Sequence, residues 1–255
     1  MGLMPQQHLE ELDRLAAEYW WHVHKTETVA ALAARFSEKT ISSYIDVGCG
    51  PGATTRQIAL KLEAAGRLSP GAAVAGLDFD ARLSAACRSH GVALTVADLA
   101  ADAVPPLERR FEFFTALDVL EHLEDPRRLL AALKPQLTED CVGVIAVPAF
   151  QYLFSDWDRA AGHFRRYEAA GLKSLLESAG YRVLWQSYLY SFAMLPALMR
   201  RRVLKSAEAE KNLEFPKIPS WLNASLKAVG ALERAYLKVC PMPFGTTALA
   251  VVTPA

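Results

Sequence analysis

The chain has 255 residues, 52% of them hydrophobic and 22% charged, and its 28 Lys and Arg balance 28 Asp and Glu. That length suits one large domain with an elaborated lid and a substantial core, and the composition excludes a disordered or fibrous chain. Zero net charge gives no global signature of a nucleic-acid binder, although residues 200–240 hold nine basic residues against four acids and the rest compensates.

The opening MGLMPQQHLEELD has no basic stretch leading into an apolar one, so no signal peptide is expected. Residues 7–36 read as helical. Leu12, Leu15, Tyr19 and Val23, then Val29, Leu32, Ala33 and Phe36, share one face, with a kink expected near Thr26–Thr28. From residue 43 short apolar runs alternate with helical patterns: YIDV (44–47), a helix after Thr54, AVAGLD (73–78), a helix over 81–90, VALTVAD (92–98), FEFFTALD (111–118), a helix from Pro126 to Lys134, and VGVIAV (142–147). Runs apolar on both faces and separated by helices predict parallel strands in a covered sheet.

A helix over 168–180, stopped by Gly180, leads to a sixth strand, YRVLWQSYLY (181–190), and TTALAVVT (246–253) supplies a seventh. The roughly 55 residues between them are too many for a plain loop and are expected to form a helical lid. Within that stretch the apolar run 188–199 contains Pro196 and falls short of the about 20 residues a bilayer span needs. Followed by Arg200, Arg201 and Arg202, it makes 188–205 the candidate for peripheral membrane contact. Cys49, Cys87, Cys141 and Cys240 are widely spaced with no C-x-x-C, which predicts neither a zinc site nor a disulfide framework and suits a reducing cytosol.

The chemistry concentrates in YIDVGCGPGATT (44–55), where Gly48, Gly50 and Gly52 follow a strand that ends with Asp46. Glycines in a strand-to-helix turn let the backbone approach a ligand and open a helix whose free N–H groups favour negative charge. The spacing is G-x-G-x-G, whereas dinucleotide sites use G-x-G-x-x-G. Asp46 would oppose a pyrophosphate but suits an ammonium group. A nucleoside bearing an amino acid fits both features.

On these residues the chain resembles the class I S-adenosylmethionine-dependent methyltransferases, near the ubiquinone/menaquinone-biosynthesis-like (type 11/12) group. IDVGCGPG, GLDFD, VADL and FEFFTALDVLEHLEDP match that family's motifs in order. The resemblance implies one Rossmann-like domain over 1–255. Its seven-stranded, mostly parallel sheet has the last strand antiparallel. Residues 1–40 form a helical cap, 41–190 and 244–255 the core, and 191–243 the lid. It further implies S-adenosylmethionine as cofactor, S-adenosylhomocysteine as product and a small-molecule acceptor, with no nucleic acid. Asp78 would hold the ribose hydroxyls, Phe79 would lie beside the adenine, Asp98 would take its amino group, and Leu99 would give an adjacent backbone contact. Leu117, Asp118 and His122 would lie near the methionine portion.

Outside the core, EYWWHVHK and DWDRAAGHFRRY resemble the entry helix and the D…GHxRRY segment of one bacterial subset. By that resemblance Trp20 and Lys25 join the cofactor site, Lys25 standing where an arginine commonly meets the cofactor carboxylate. Tyr152, Trp157, Arg165, Arg166 and Tyr167 are expected at the substrate, Arg165 and Arg166 gripping an acidic or amphipathic acceptor. His163 is the candidate general base, because imidazole titrates near neutrality. Its competing reading is a structural histidine. No metal site is expected, since His22 and His24 at i and i+2 point to different sides of a helix. The alternatives are an NAD(P)-binding oxidoreductase and a non-catalytic interaction module keeping the fold. The expected location is cytoplasmic, with the inner membrane face as the peripheral option.

Overall fold

A computed structural model describes residues 6–101, 104–203 and 216–255, with side chains of 200–203 excluded. The chain enters through α1 (Gln6–Leu15) and α2 (Trp20–Phe36), then alternates β1 (Ile41–Val47), α3 (Ala53–Ala64), β2 (Leu68–Asp78), α4 (Ser84–Ser89), β3 (Ala93–Val96) and β4 (Phe111–Leu117). It continues through α5 (Pro126–Leu133), β5 (Leu137–Pro148), α6 (Asp156–Ala160), α7 (Ala169–Ser178) and β6 (Tyr181–Leu189). Helices α8 (Met194–Val203) and α9 (Ser220–Leu237) precede the closing strand β7 (Thr247–Pro254).

The seven strands form one sheet in the order β3-β2-β1-β4-β5-β7-β6. β7 pairs antiparallel with both β5 and β6, and the remaining neighbours are parallel. Consecutive residues point to opposite faces of a strand, and the core divides accordingly. Ile45, Phe114 and Ile145 pack on one face with Leu172 and Leu176 of α7. Tyr44, Phe113 and Val144 pack on the other with Val29 of α2 and Ile58 and Leu62 of α3. Burial on both faces explains why these strands read as continuous apolar runs rather than alternating ones.

The chain order reverses between β1 and β4, so their carboxyl ends open a crevice at a switch point, where ligands bind in open α/β sheets. Among the described residues three non-glycine residues carry positive φ, and all three follow strand ends at this edge: Asp118 (φ 55) after β4, Phe150 (φ 62) after β5 and Tyr190 (φ 61) after β6. Such conformations cost on the order of 1–3 kcal/mol each and persist where the surroundings over-determine them. A surface groove lined by Arg110, Lys134, Pro135 and Thr138 lies at the opposite edge of the sheet.

The kink expected near Thr26–Thr28 is absent. α2 runs unbroken through them, with the Thr26 and Thr28 hydroxyls donating back to the Val23 and His24 carbonyls. The break falls at residues 16–19 instead. No helix among the described residues is long and apolar enough to cross a membrane.

Candidate active site

The loop after β1 is braced from below. Asp46 is buried, and its two carboxylate oxygens accept 2.5 Å hydrogen bonds from the Thr55 and Thr115 hydroxyls. Thr115 also meets the Tyr44 hydroxyl at 2.8 Å, so the network joins β1, β4 and the start of α3. Burial pushes the Asp46 carboxyl up to about 6 even though both hydroxyls oppose that shift. Asp46, expected beside a ligand's ammonium group, has its two oxygens on the threonines beneath the loop.

Above it, Gly48, Gly50 and Gly52 all have positive φ. The Gly50 N–H donates to Asp78 Oδ2 at 2.9 Å, drawing the end of β2 against the turn, and Asp78 Oδ1 accepts from the Asp80 N–H. Burial raises the Asp78 pKa, with these backbone donors working the other way. Phe79 follows, half-buried. Asp98 is exposed beyond β3 with its Oδ1 accepting from the Ala100 N–H, while the Leu99 side chain is in the core. The predicted residues at the ends of β1, β2 and β3 therefore line one edge.

At the end of β4, Leu117 is half-buried and Asp118 is partly exposed. The Lys25 ammonium, buried beside the Trp21 ring, donates to Asp118. Its charge is thereby directed to the β4 end. Trp20 packs edge-on against Trp21 and Tyr190 and contacts Phe192, an aromatic joint between α2 and the β6 end. The neighbouring His22 is pushed down to about 4 by burial and by Lys25.

The GHFRRY segment folds back over the turn that follows β4. The Phe164 N–H donates to the Glu121 carbonyl at 2.8 Å. Asp158, fully buried, accepts from the Ser155 N–H and takes both Arg166 Nε (2.8 Å) and Nη2 (3.0 Å), while His163 Nδ1 lies 2.9 Å from its Oδ1. Burial would raise the Asp158 pKa, but His163 and Arg166 prevail and hold it at about 2.

The residues expected at the substrate have protein partners of their own. Arg166 spends its fork on Asp158, Arg165 donates to the Glu124 carbonyl, and Tyr167 is buried with its hydroxyl on the Leu120 carbonyl. Tyr152 stays exposed, stacked on Phe150, and Trp157 sets its edge against the His163 ring. His163 is itself almost closed to solvent, with Nδ1 committed to Asp158. Arg166→Ala is expected to lower stability by about 1.5–3 kcal/mol, the worth of hydrogen bonds to a charged group. The denaturant midpoint reads this effect directly.

The sequence sets Asp118 and Glu121 as neighbouring carboxylates and offers Asp158 as an ion partner for the arginines, and Asp158 takes that place with Arg166. Glu121, fully buried with neither oxygen partnered, lies beside His122 in the short turn after β4.

A family model described as a methyltransferase domain matches residues 19–186. The chain belongs to this S-adenosylmethionine-dependent methyltransferase family. Among curated relatives, an uncharacterized Synechococcus protein is 31% identical over 125 residues, 47% of this chain and 28% of that one. The ubiquinone biosynthesis O-methyltransferase of Glaesserella parasuis is 24% identical over 157 residues, 55% of this chain and 63% of that one. The matched segments thus span less than two thirds of either relative.

The methyltransferase fold is shared at low identity. A chain from the Haloferax volcanii complex of the Trm112 activator with a methyltransferase superposes at TM-score 0.61 with 16% identity, covering 99% of each chain. The plantazolicin methyltransferase BpumL, in complex with S-adenosylhomocysteine, gives TM-score 0.58 with 13% identity, covering 98% of this chain and 90% of that one. The [4+2]-cyclase SpnF gives TM-score 0.55 with 16% identity, covering 89% and 80%. The same architecture therefore carries more than one reaction, and the acceptor has to be argued from the site.

Proposed function

We propose that this chain moves a methyl group from S-adenosylmethionine to an oxygen or nitrogen of a small acceptor bound between the β4 and β5 ends. The observation carrying this reading is the Gly50–Asp78 contact. It sets a carboxylate beside a glycine turn that opens α3, with a buried acid rather than a cation beneath it. Such a cradle suits an adenosine with a zwitterionic tail and offers no cation for a pyrophosphate. Bound there, the cofactor supplies an electrophilic methyl on sulfur.

Asp78 holds the ribose hydroxyls, Phe79 covers the adenine, and Asp98 with the Leu99 backbone takes the adenine edge. Gly48, Gly50 and Gly52 let the tail approach, Leu117 and Asp118 flank it, and Lys25 balances its charge through Asp118. Tyr152 and Trp157 offer aromatic surface to the acceptor. Placing the acceptor atom in line, about 3 Å from the methyl carbon, supplies effective molarities of order 10⁵ M or more, so positioning outweighs any single proton acceptor. Exposed Leu195 and Met199 on α8 support an amphipathic acceptor or peripheral lipid contact through 188–205. The Arg200–Arg202 side chains and residues 204–215 of that segment lie outside the described residues.

Calorimetric titration with S-adenosylhomocysteine, followed by a methyl-donor assay over a metabolite panel, tests the reading. One site per chain is expected, weakened about 10- to 100-fold by Asp78→Ala through loss of charge-assisted hydrogen bonds. Binding of NADH with no binding of S-adenosylhomocysteine would overturn it.

A further inference from the structure

We propose that Glu121, His122 and His163 form a binding site for one first-row divalent metal ion at the carboxyl edge of the sheet. One ligand atom from each residue lies within 4.8 Å of the others. Ligands about 2.1 Å from a common ion lie about 3–3.5 Å apart, so small side-chain rotations close the set. No metal was expected from sequence spacing, because the ligands come from two segments about forty residues apart that meet only in the fold.

The independent observation is Glu121. It is wholly buried and neither carboxylate oxygen has a hydrogen-bond partner, although buried polar groups are almost always satisfied. Leaving a carboxyl unpartnered in the interior costs several kcal/mol in round terms, and a coordinated cation removes that cost. The cations nearest to it are already committed, Lys25 to Asp118 and Arg166 to Asp158.

The histidines are held as metal ligands are held. Ionised Asp158 can only accept, so His163 carries its proton on Nδ1 and presents the Nε2 lone pair to the site. A buried carboxylate fixing the far nitrogen of an imidazole is the outer-shell arrangement of metal-bound histidine. The His122 ring stands perpendicular to His163 with centroids 4.5 Å apart, and the backbone of Gly162 and Ala161 bears on it. Two imidazoles and one carboxylate suit Zn²⁺, Co²⁺, Mn²⁺ or Fe²⁺ better than Mg²⁺ or Ca²⁺, and they leave positions open.

This inference rests on the methyltransferase reading and narrows it. An open position at this edge binds an acceptor hydroxyl and lowers its pKa, so the acceptor is an oxygen rather than an amine. The hydroxyl proton leaves to solvent, and an oxygen lone pair forms the new O–C bond. In the same step the C–S bond breaks with its electrons on sulfur, converting sulfonium to thioether. His163 is in this scheme a ligand, in place of the general base.

The test uses the tag-free full chain, stripped with a chelator and titrated with Co²⁺ while the visible d–d absorption is followed. A band saturating at one equivalent and displaced by Zn²⁺ is expected. Glu121→Gln and His163→Ala each abolish it or weaken it at least 10-fold. Asp158→Asn, a positioning change, weakens it about 10- to 100-fold. Thermal melts report whether each variant is folded, and His163→Ala carries the test if Glu121→Gln does not fold. Absence of the band, or equal affinity in wild type and both ligand variants, overturns the proposal. S-adenosylhomocysteine titrated into the stripped protein separates the two readings. If it binds while Co²⁺ does not, only the metal inference fails; if it does not bind, the methyltransferase reading fails.

Discussion

Gly48→Ala is expected to abolish binding of S-adenosylhomocysteine and to lower stability by about 2–5 kcal/mol. Two effects add. Gly48 has φ +71, where an L-residue costs roughly 1–2 kcal/mol. A Cβ there would also stand 2.3 Å from Val119 Cγ2, and overpacking a filled core costs typically 1–3 kcal/mol. Val119 is buried and β-branched, so it has few alternative rotamers. It also joins Asp118 to the turn bearing Glu121 and His122, and displacing it moves the β4 end together with the β1 loop. Gly50→Ala is the control: φ is +53 but no protein atom lies within 4 Å of the added Cβ, so stability falls only by the backbone cost, about 1–2 kcal/mol. Thermal melts and calorimetry on both variants check this. Wild-type affinity in Gly48→Ala would show that the turn does not shape the cofactor site.

The sheet was legible because strands buried on both faces write themselves as unbroken apolar runs. Ile45 and Phe114 feed one face while Tyr44 and Phe113 feed the other. The glycine turn and Asp78 were legible for a similar reason, since a local backbone requirement leaves a local signature. What stayed hidden depends on long-range contact. The nearby acids Asp156, Asp158 and Glu168 leave the partner of Arg166 open and only the fold selects Asp158, while the spacing of Glu121 to His163 follows no short motif. No kink forms at Thr26–Thr28, where both hydroxyls donate to carbonyls of the preceding turn and the helix continues. The lid was foreseen as helical, but its attachment to the entry helix was not. Asn223 on α9 accepts from the Trp20 N–H at the start of α2 and donates to the Glu18 carbonyl, a cap supplied from about 200 residues away.

That attachment gives the second large effect. Glu233→Ala is expected to cost about 3–5 kcal/mol, the range for removing one partner of a buried charged network. Glu233 is buried on α9, and its Oε2 meets His24 Nε2 at 2.6 Å and the Tyr190 N–H at 2.8 Å, while Oε1 takes the Ser191 N–H at 2.7 Å and the Ser191 hydroxyl. Arg234 lies 2.8 Å from His24 Nδ1 and, being donor only, sets the tautomer with Nε2–H toward Glu233. Truncation strands these donors in the interior and releases the strained Tyr190 that carries the aromatic joint to Trp20 and Trp21. Glu233→Gln keeps the acceptor oxygen for the backbone donors and should cost less. The pH dependence has a definite sign. Burial would raise the Glu233 pKa, but hydrogen bonds from His24 and Ser191 outweigh it and hold the folded value below the unfolded one, near 4.3. The stabilisation from ionised Glu233 is therefore complete above about pH 4.3 and fades as pH falls through the lowered folded value. Melting temperatures of wild type and Glu233→Ala should differ fully at pH 7 and converge under acid. A gap that stays constant across that range would mean that α9 is held by apolar packing, with the carboxylate incidental.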